Sequence, residues 1–505
     1  MMRSFVAGVA CLCFGFVESS GVDGVAATFA AHAAENGATI SATGYTPQKA
    51  GYKIKLTGLS PMRFNVSADV PIDGKMLEMD NTYPADLPEM AAKGWPALIS
   101  DLTVRDSTGK RIEVTALGTK GWRLSDSLQS RLKLSYEVDY SLFAASGWSS
   151  SLESAFVDDD HAIVVGRSLF ITTAQIGAVD VQIETPEGWI PVIPWATDKR
   201  TAQCYDVTSK QDLTNNMLVF SKTEPDVVTA AGFRLQITCM GHWRPLRPLV
   251  RQVLGTIIER EVHLMQYKGS EIYNVVLLPI LDEGGNAFRQ SFVYCYVDPD
   301  QNNKGVWGNT LAHEIFHYWN YARLKGADYA SSQWFQEGFT EYVANLVTVT
   351  GGIIDANAFV KKLGEHVTNY RKLATTLEDP GTHKGPPLYS AGALVAFMWD
   401  VKIHKASGGK RAIGDLFRNL MLQTDAGARR YAWADIKAAL QATADGDWES
   451  FYQAYIRGHE PLPFDKILPL PGLRLYKSAD GKEQVGFDPA ASAEARALWQ
   501  ALVGG

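Results

Sequence analysis

Two histidines four residues apart are the part of this sequence best suited to chemistry. Residues 309–323 read NTLAHEIFHYWNYAR, and their apolar residues have the spacing of a helix. His313 and His317 therefore share one helical face, where both imidazoles can bind a single metal ion. Glu314 lies beside that ion and is placed to accept a proton from a water molecule. The pattern predicts a hydrolytic zinc site, which requires three protein ligands and a water.

An acidic residue on a second predicted helix completes the ligand set. Residues 332–342 (SQWFQEGFTEY) place Glu337 and Glu341 four positions apart, so that both carboxylates lie on one helical face. We predict that Glu337 is the third ligand of one Zn²⁺ ion, with Glu341 as its rival for that role. If Glu337 binds the metal, Glu341 can hydrogen-bond a ligating histidine. The other interpretation of Glu341 is a solvated helix charge.

The elements that must position these residues change in character near residue 225. Residues 49–225 alternate polar and apolar side chains in short runs, which predicts antiparallel strands in a β-sandwich-like N-terminal domain. Residues 226–465 form the predicted catalytic domain, with strands near 273–281 and 291–297 and helices after them. The predicted helices span residues 245–267, 309–324, 333–350, 356–373, 390–406, 411–422, 433–442 and 447–457. Residues 466–505 form a predicted C-terminal tail that ends in a helix-like stretch.

The composition and the N-terminus restrict the class of protein. A chain of 505 residues with 46% hydrophobic residues indicates a globular protein with several domains, and the net charge of -7 argues against a nucleic-acid partner. Arg3, the apolar run 5–17 and a small polar exit predict a signal peptide over residues 1–20, followed by a mobile leader over 21–48. We therefore expect export to the periplasm or the extracellular space, with no membrane span after signal removal. The alternative is a buried N-terminal helix.

Few cysteines remain after the predicted signal. Cys204, Cys239 and Cys295 are too few to form a disulfide framework in so long a chain, and at most one bridge is possible among them. We expect them to be small buried hydrophobic residues instead.

The metal motif and its surroundings resemble a known family. HEIFHYWN followed by WFQEGFTEY is similar to the glycyl aminopeptidases, zinc peptidases related to aminopeptidase N and more distantly to thermolysin. Weaker similarities lie at residues 156–170, 389–401 and 458–475, within a region of roughly 50–476. The resemblance implies a peptide or protein substrate and a thermolysin-like α+β catalytic domain with a helical C-terminal part. Because few residues follow this region, we expect no PDZ-like domain of the kind that the family usually carries.

The resemblance also suggests roles for residues outside the metal motif. Tyr389 matches the tyrosine that, in relatives of aminopeptidase N, donates a hydrogen bond to the oxyanion; the alternative is a packing tyrosine at a helix start. The family often has a lysine two residues later, where this sequence has Ala391. We interpret residues 158–161 as an acidic turn, with a second metal site as the alternative.

One strand motif differs from that of the related aminopeptidases. Those enzymes hold the substrate's α-amine with a glutamate on a glycine-rich strand, and Ala287 occupies that position here. Without the carboxylate, selection for a free amine weakens, although the strand backbone can still bind an extended peptide. Asp282 or Glu283 are alternative sources of the missing charge. The substrate-binding residues predicted on this strand are Gly284, Gly285 and Asn286.

These predictions combine into a zinc-dependent hydrolase of peptide bonds with Glu314 as the general base. An aminopeptidase-like action is expected, and the altered strand motif leaves endopeptidase action open. The alternative is a catalytically silent, zinc-stabilised peptide-binding protein, which would have no need of a base at Glu314. A third hypothesis is hydrolysis of a non-peptide substrate such as an epoxide, because a zinc–water site does not dictate the bond that it attacks.

Overall fold

The computed structural model describes residues 47–85, 87–145, 155–197, 203–281, 283–379, 385–425, 427–478 and 481–504. The predicted signal peptide lies outside these residues, and so does almost all of the predicted leader. None of the helices within the described ranges has both the length and the apolar character that crossing a bilayer requires.

Alternating strands build the N-terminal part of the chain, as the period-two pattern predicts. Its strands are β1 (Gln48–Leu59), β2 (Met62–Leu77), β3 (Ile99–Arg105), β4 (Arg111–Ile112), β5 (Val114–Ala116), β6 (Trp122–Asp139), β7 (Phe156–Val157), β8 (His161–Val165), β9 (Ile176–Glu184), β10 (Ile190–Val192), β11 (Ala196–Thr197), β12 (Cys204–Val207) and β13 (Met217–Ser221). The short helices between them are α1 (Pro88–Lys93), α2 (Ser141–Ala145), α3 (Gly166–Leu169) and α4 (Lys210–Thr214).

These strands form two sheets that share one hydrophobic core. The larger sheet has the order β11-β12-β9-β1-β2-β6-β3-β4, with β5 also on β6, and the smaller has the order β10-β13-β8-β7. Phe64 of β2 and Phe220 of β13 pack across the core with ring centroids 5.2 Å apart. The described pairings are antiparallel except that β1 and β9 run parallel. The sandwich-like N-terminal domain is therefore confirmed, with one parallel pair that the alternation pattern could not reveal.

A mixed sheet followed by helices makes up the rest of the chain. Its strands are β14 (Asp226–Ala230), β15 (Phe233–Cys239), β16 (Glu271–Leu277), β17 (Gly284–Ala287) and β18 (Ser291–Cys295). Its helices are α5 (Arg247–Met265), α6 (Lys304–Phe316), α7 (Tyr329–Thr350), α8 (Ala356–Tyr370), α9 (Pro386–Ser407), α10 (Ile413–Gln423), α11 (Trp433–Thr443), α12 (Trp448–Tyr455) and α13 (Phe464–Ile467). The strand order is β14-β15-β16-β18-β17, so β17 is an edge strand. This arrangement confirms the predicted α+β architecture with its helical C-terminal part.

Helix α6 differs from the predicted helix over residues 309–324. It begins earlier, at Lys304, and ends at Phe316 with His317 in the C-cap position, after which the chain continues in turns. The Asn320 side chain donates hydrogen bonds to the backbone carbonyls of Phe335 and Gln336 at 3.1 and 2.9 Å. These bonds tie the turns to helix α7. Such a tertiary contact cannot be read from a local apolar pattern.

The predicted C-terminal tail is packed against the helical part. It contains a hairpin of β19 (Leu473–Lys477) and β20 (Glu483–Phe487) followed by helix α14 (Ala493–Val503). Arg371 after helix α8 pairs with Glu483 at 2.8 Å, and the rings of Phe359 and Trp499 lie 5.8 Å apart. The sequence predicted only the last helix of this segment.

The three cysteines of the described chain are free thiols, and Cys239 and Cys295 are buried. The prediction of small buried hydrophobic residues without a disulfide framework is thus confirmed for these two, and Cys204 is half-buried.

Candidate active site

Helices α6 and α7 bring three predicted metal ligands together. Nε2 of His313 and Nε2 of His317 each lie 3.4 Å from Oε2 of Glu337, and all three side chains are buried. Zinc with ligand bonds of about 2.05 Å separates tetrahedral ligand atoms by about 3.3 Å. The observed spacing therefore fits one tetrahedral ion. Among the residues that the structure describes, this is the one histidine, cysteine or carboxylate group with such geometry.

The charges around this centre also favour a cation. Burial works against the Glu337 carboxylate, but His317 and hydrogen bonds with both imidazoles hold its pKa well below the usual range. Burial lowers the pKa of His313, yet hydrogen bonds with Glu337 and Glu341 outweigh it and raise that pKa to about 10. Without a cation, then, the site would take up a proton. A divalent metal ion held by these residues would supply that positive charge instead.

Glu341 hydrogen-bonds the predicted ligand His313 and lies outside the group of predicted ligand atoms. Its Oε2 is 3.1 Å from Nδ1 of His313, the ring nitrogen that faces away from Glu337. The side-chain amides of Asn345 and Asn309 donate to Oε1 of Glu341 at 3.1 and 3.4 Å. A carboxylate on Nδ1–H fixes the tautomer and leaves the Nε2 lone pair for the metal. Glu337 thus lies where the predicted ligand should be, and Glu341 lies where a carboxylate that orients His313 should be.

Two further side chains that the sequence did not single out extend this network. The Tyr329 hydroxyl donates to Oε1 of Glu337 at 3.3 Å. His366 lies behind Glu341, with Nε2 3.7 Å from Oε1, and its Nδ1 is 3.1 Å from Oγ of Ser390. Tyr329 opens the helix that carries Glu337, but neither residue has a spacing that marks it. Only the tertiary packing of helices α7, α8 and α9 brings them to the site.

Glu314 lies against strand β17. A methyl group added at Gly285 would come within 2.8 Å of Oε1 of Glu314 and 3.1 Å of its carboxyl carbon. Desolvation raises the pKa of Glu314, and His317 and His313 oppose that rise. The predicted base thus contacts the predicted substrate strand where the strand has no side chain.

Tyr389 lies beside the predicted metal ligand His313. Its ring stacks on that of His313, with centroids 6.2 Å apart and planes 10° apart. Burial raises the pKa of its hydroxyl well above the ordinary value, and the Glu337 charge raises it further. The phenol is therefore protonated at neutral pH and able to donate a hydrogen bond.

A glycine contact between helices α7 and α9 brings Tyr389 to this position. A methyl group at Gly338 would lie 2.3 Å from the Cα of Gly392, and one at Gly392 would lie 2.0 Å from the carbonyl oxygen of Trp334. Neither distance is possible for real atoms, so only glycine permits this crossing. Gly338 follows Glu337 directly, and Gly392 lies about one turn after Tyr389.

Strand β17 offers its outer edge to an extended ligand. It pairs only with β18 among the described strands, in antiparallel register from Gly284 opposite Cys295 to Ala287 opposite Phe292. Its residues, Asn286 among them, are half-buried, and Ala287 packs on the core. The backbone of an edge strand can bind a peptide as an added strand. Of the proposed substitutes for the missing carboxylate, Glu283 is exposed, and Asp282 lies outside the described residues.

Among the residues that the structure describes, no group with metal-binding geometry lies at the acidic turn of residues 158–161. Oδ1 of Asp158 accepts hydrogen bonds from the backbone amides of Asp160 and His161 at 2.8 Å. Arg244 pairs with Asp158 at 2.9 Å and with Asp160 at 3.0 Å. An arginine that precedes helix α5 thus pairs with two of the three carboxylates of the turn. This geometry matches the interpretation as an acidic turn that joins the two halves of the chain.

Comparisons with known proteins agree with this site. A family profile described as M61 glycyl aminopeptidase matches residues 307–380, and one described as the peptidase M61 N-terminal domain matches residues 51–216. No curated protein sequence matches the chain.

Solved structures share the fold at low identity. An aminopeptidase N family protein from Idiomarina loihiensis is 18% identical, covers 85% of this chain and 79% of its own, and has a TM-score of 0.68. An M1 zinc metallopeptidase from Deinococcus radiodurans is 13% identical, with 83% and 96% coverage and a TM-score of 0.50. A two-domain M1 zinc metallopeptidase bound to L-arginine is 12% identical, with 83% and 95% coverage and a TM-score of 0.50.

Proposed function

We propose that this chain cleaves peptide bonds with Glu314 as its general base. It belongs to the M61 glycyl aminopeptidase family and is a zinc metallopeptidase. The observation that carries the proposal is the contact of Glu314 with the glycine of an open strand edge, one residue along the helix from a metal ligand. A substrate carbonyl held by that edge lies beside both the base and the metal centre.

The residues divide the work of hydrolysis among themselves. One zinc ion at His313, His317 and Glu337 would supply Lewis acidity, which makes a water molecule more acidic and polarises a carbonyl oxygen. The raised pKa of Glu314 makes its carboxylate a stronger base than that of an exposed glutamate. It accepts the proton of the attacking water and passes it to the leaving amine. The Tyr389 hydroxyl donates to the carbonyl oxygen as that oxygen acquires charge.

The same strand suggests that a free α-amine is not essential in the substrate. Gly284, Gly285 and Asn286 bind an extended peptide through their backbone, and Ala287 offers no counter-charge for an ammonium group. We therefore propose that the enzyme accepts chains whose N-terminus is blocked, in addition to free ones. The direct measurement is cleavage of matched peptides with free and N-acetylated termini. A strict requirement for the free amine, with no cleavage of acetylated peptides, would contradict this part of the proposal.

Replacing the base tests the mechanism. Glu314→Gln removes the proton acceptor but leaves all three ligand side chains, so we expect bound zinc and an unchanged fold with turnover lost. Zinc content by elemental analysis and the thermal midpoint serve as controls. Turnover at the wild-type rate would refute the role of Glu314. A wild-type protein that binds peptides but cleaves none would instead support the alternative of a silent zinc-stabilised binding protein.

We also propose that the protein is exported to the periplasm or the extracellular space. The support is Arg3 and the short apolar run 5–17 with its small polar exit. N-terminal sequencing of the protein recovered from cell fractions tests this. Cytoplasmic protein with an intact N-terminus would refute it.

A further inference from the structure

A lysine lies next to the metal centre in the turns between helices α6 and α7. The ammonium of Lys325 lies 5.7 Å from the ring centroid of Tyr321. That ring in turn packs edge-on against the ring of His317, with centroids 6.0 Å apart. A positive charge thus lies two ring contacts from a predicted metal ligand. The mechanism above gives this half-buried cation no role.

The charges near Lys325 are positive. Among the described residues no carboxylate pairs with its ammonium, and burial together with Arg289 and Arg430 lowers its pKa to about 8. Arg289 itself pairs with the buried Asp212 through Nε. Asp212 is therefore the partner of Arg289, and Lys325 has no acidic partner among the described residues. A half-buried ammonium in such surroundings gains most from an anionic ligand.

The position of this group relates it to the substrate strand. Arg289 lies in the turn that joins β17 to β18, where the amide of Phe288 donates to the carbonyl of Ser291 at 2.8 Å. Glu314 contacts the same strand at Gly285. A strand rises by about 3.3 Å per residue, so the step from Gly285 to Arg289 covers at most about 13 Å. An extended substrate on β17 therefore reaches the cations about two to four residues from the cleaved bond.

We propose that Lys325 forms a subsite that binds a carboxylate of the substrate. The proposal rests on the proposed function and adds the substrate class to it: peptides that carry an acidic group a few residues from the scissile bond. The carboxylate has two possible sources, an aspartate or glutamate side chain and a free C-terminus. Ala287 does not offset the positive charge at this end of the strand, so an ammonium group there is disfavoured.

The test uses the zinc-loaded, full-length enzyme and matched fluorogenic peptides. One series carries Glu, Gln or Lys at each position around the scissile bond with an amidated C-terminus. A second series carries Gln throughout and ends in either a free acid or an amide. We expect kcat/KM to be about tenfold higher for Glu than for Gln at one position, or for the acid than for the amide, an advantage of about 1.4 kcal/mol. The first result identifies a side chain as the source of the carboxylate, and the second identifies the C-terminus.

Variants of Lys325 assign the preference to this side chain. Lys325→Met should reduce the kcat/KM ratio of the acidic to the neutral peptide to near unity, and Lys325→Arg should keep this ratio. Lys325→Glu should reverse the preference in favour of the lysine peptide. Lys402→Met is a matched control, because Lys402 is also a half-buried lysine over an aromatic ring, 5.4 Å from the centroid of Trp448. It lies thirteen residues, or about 20 Å, along helix α9 from Tyr389 and should keep the preference.

The outcomes separate this inference from the proposed function. If the wild-type enzyme cleaves Glu, Gln and Lys peptides equally well and ignores the terminal carboxylate, the subsite is refuted while peptide hydrolysis stands. A preference that survives in Lys325→Met also refutes it. If no peptide is cleaved at all, the proposed function fails and the subsite fails with it.

Discussion

Gly285→Ala is the sharpest test of how the base is positioned. The added methyl group would meet Oε1 of Glu314 at 2.8 Å. An ordinary contact between these atoms is about 3.4 Å, so the carboxylate must move by about 0.6 Å. A misplacement of about 1 Å in an active site costs up to about a hundredfold in rate, and we therefore expect kcat to fall about tenfold. The fold should survive, because the atom that must move is the end of a flexible side chain.

The assay compares kcat, KM, zinc content and thermal midpoint of Gly285→Ala with those of the wild type. Gly51→Ala is the matched control, since Gly51 also lies in a strand and a methyl group there meets nothing within 4 Å. It should leave every one of these quantities unchanged. The reasoning would be refuted if Gly285→Ala kept the wild-type kcat. Loss of zinc or a large drop in thermal midpoint would instead show that the methyl group disturbs more than the base.

Three further predictions concern residues that surround the predicted metal ligands. Tyr389→Phe should lower kcat by about a hundredfold or more while zinc content stays constant, because only a donor to the developing charge is lost; an unchanged kcat would leave Tyr389 a packing residue. Glu341→Gln should weaken zinc binding about ten- to a hundredfold in a chelator titration, because the anionic acceptor on His313 Nδ1 is lost, and unchanged affinity would speak against that role. The acid limb of kcat/KM should lie above the usual pKa range of glutamate, since Glu314 works as a carboxylate and its pKa is raised; a limb at or below that range would contradict this.

The ligand-bearing helices could be predicted because their signals are local. Residues four apart share a helical face whatever surrounds them, which is why His313 and His317 were found from spacing alone. The same rule placed Glu337 and Glu341 together but could not rank them as ligands. The structure ranks them by which ring nitrogen of His313 each carboxylate faces. That orientation depends on how two helices pack, and no local pattern contains it.

Features that depend on tertiary contacts could not be predicted from the sequence for the same reason. Helix α6 ends four residues before Asn320, whose side chain bonds to a neighbouring helix. His366 reaches Glu341 only because helix α8 lies beside helix α7. The sequence of the hairpin of β19 and β20 has no strong alternation of polar and apolar residues. The hairpin joins the hydrophobic core through its packing against helix α8. The sequence thus predicts elements well and their mutual contacts poorly.

The glycine contact at Gly338 and Gly392 has a consequence for how this enzyme can change. Main chain touches main chain there, so the helices that carry Glu337 and Tyr389 lie about as close together as two helices can. Any larger residue at Gly338 or Gly392 would force the two helices apart. The packing of helices α7 and α9 therefore fixes one side of the candidate active site. A change in substrate preference must therefore come from the other side of the site, which is formed by strand β17 and the turn that follows it.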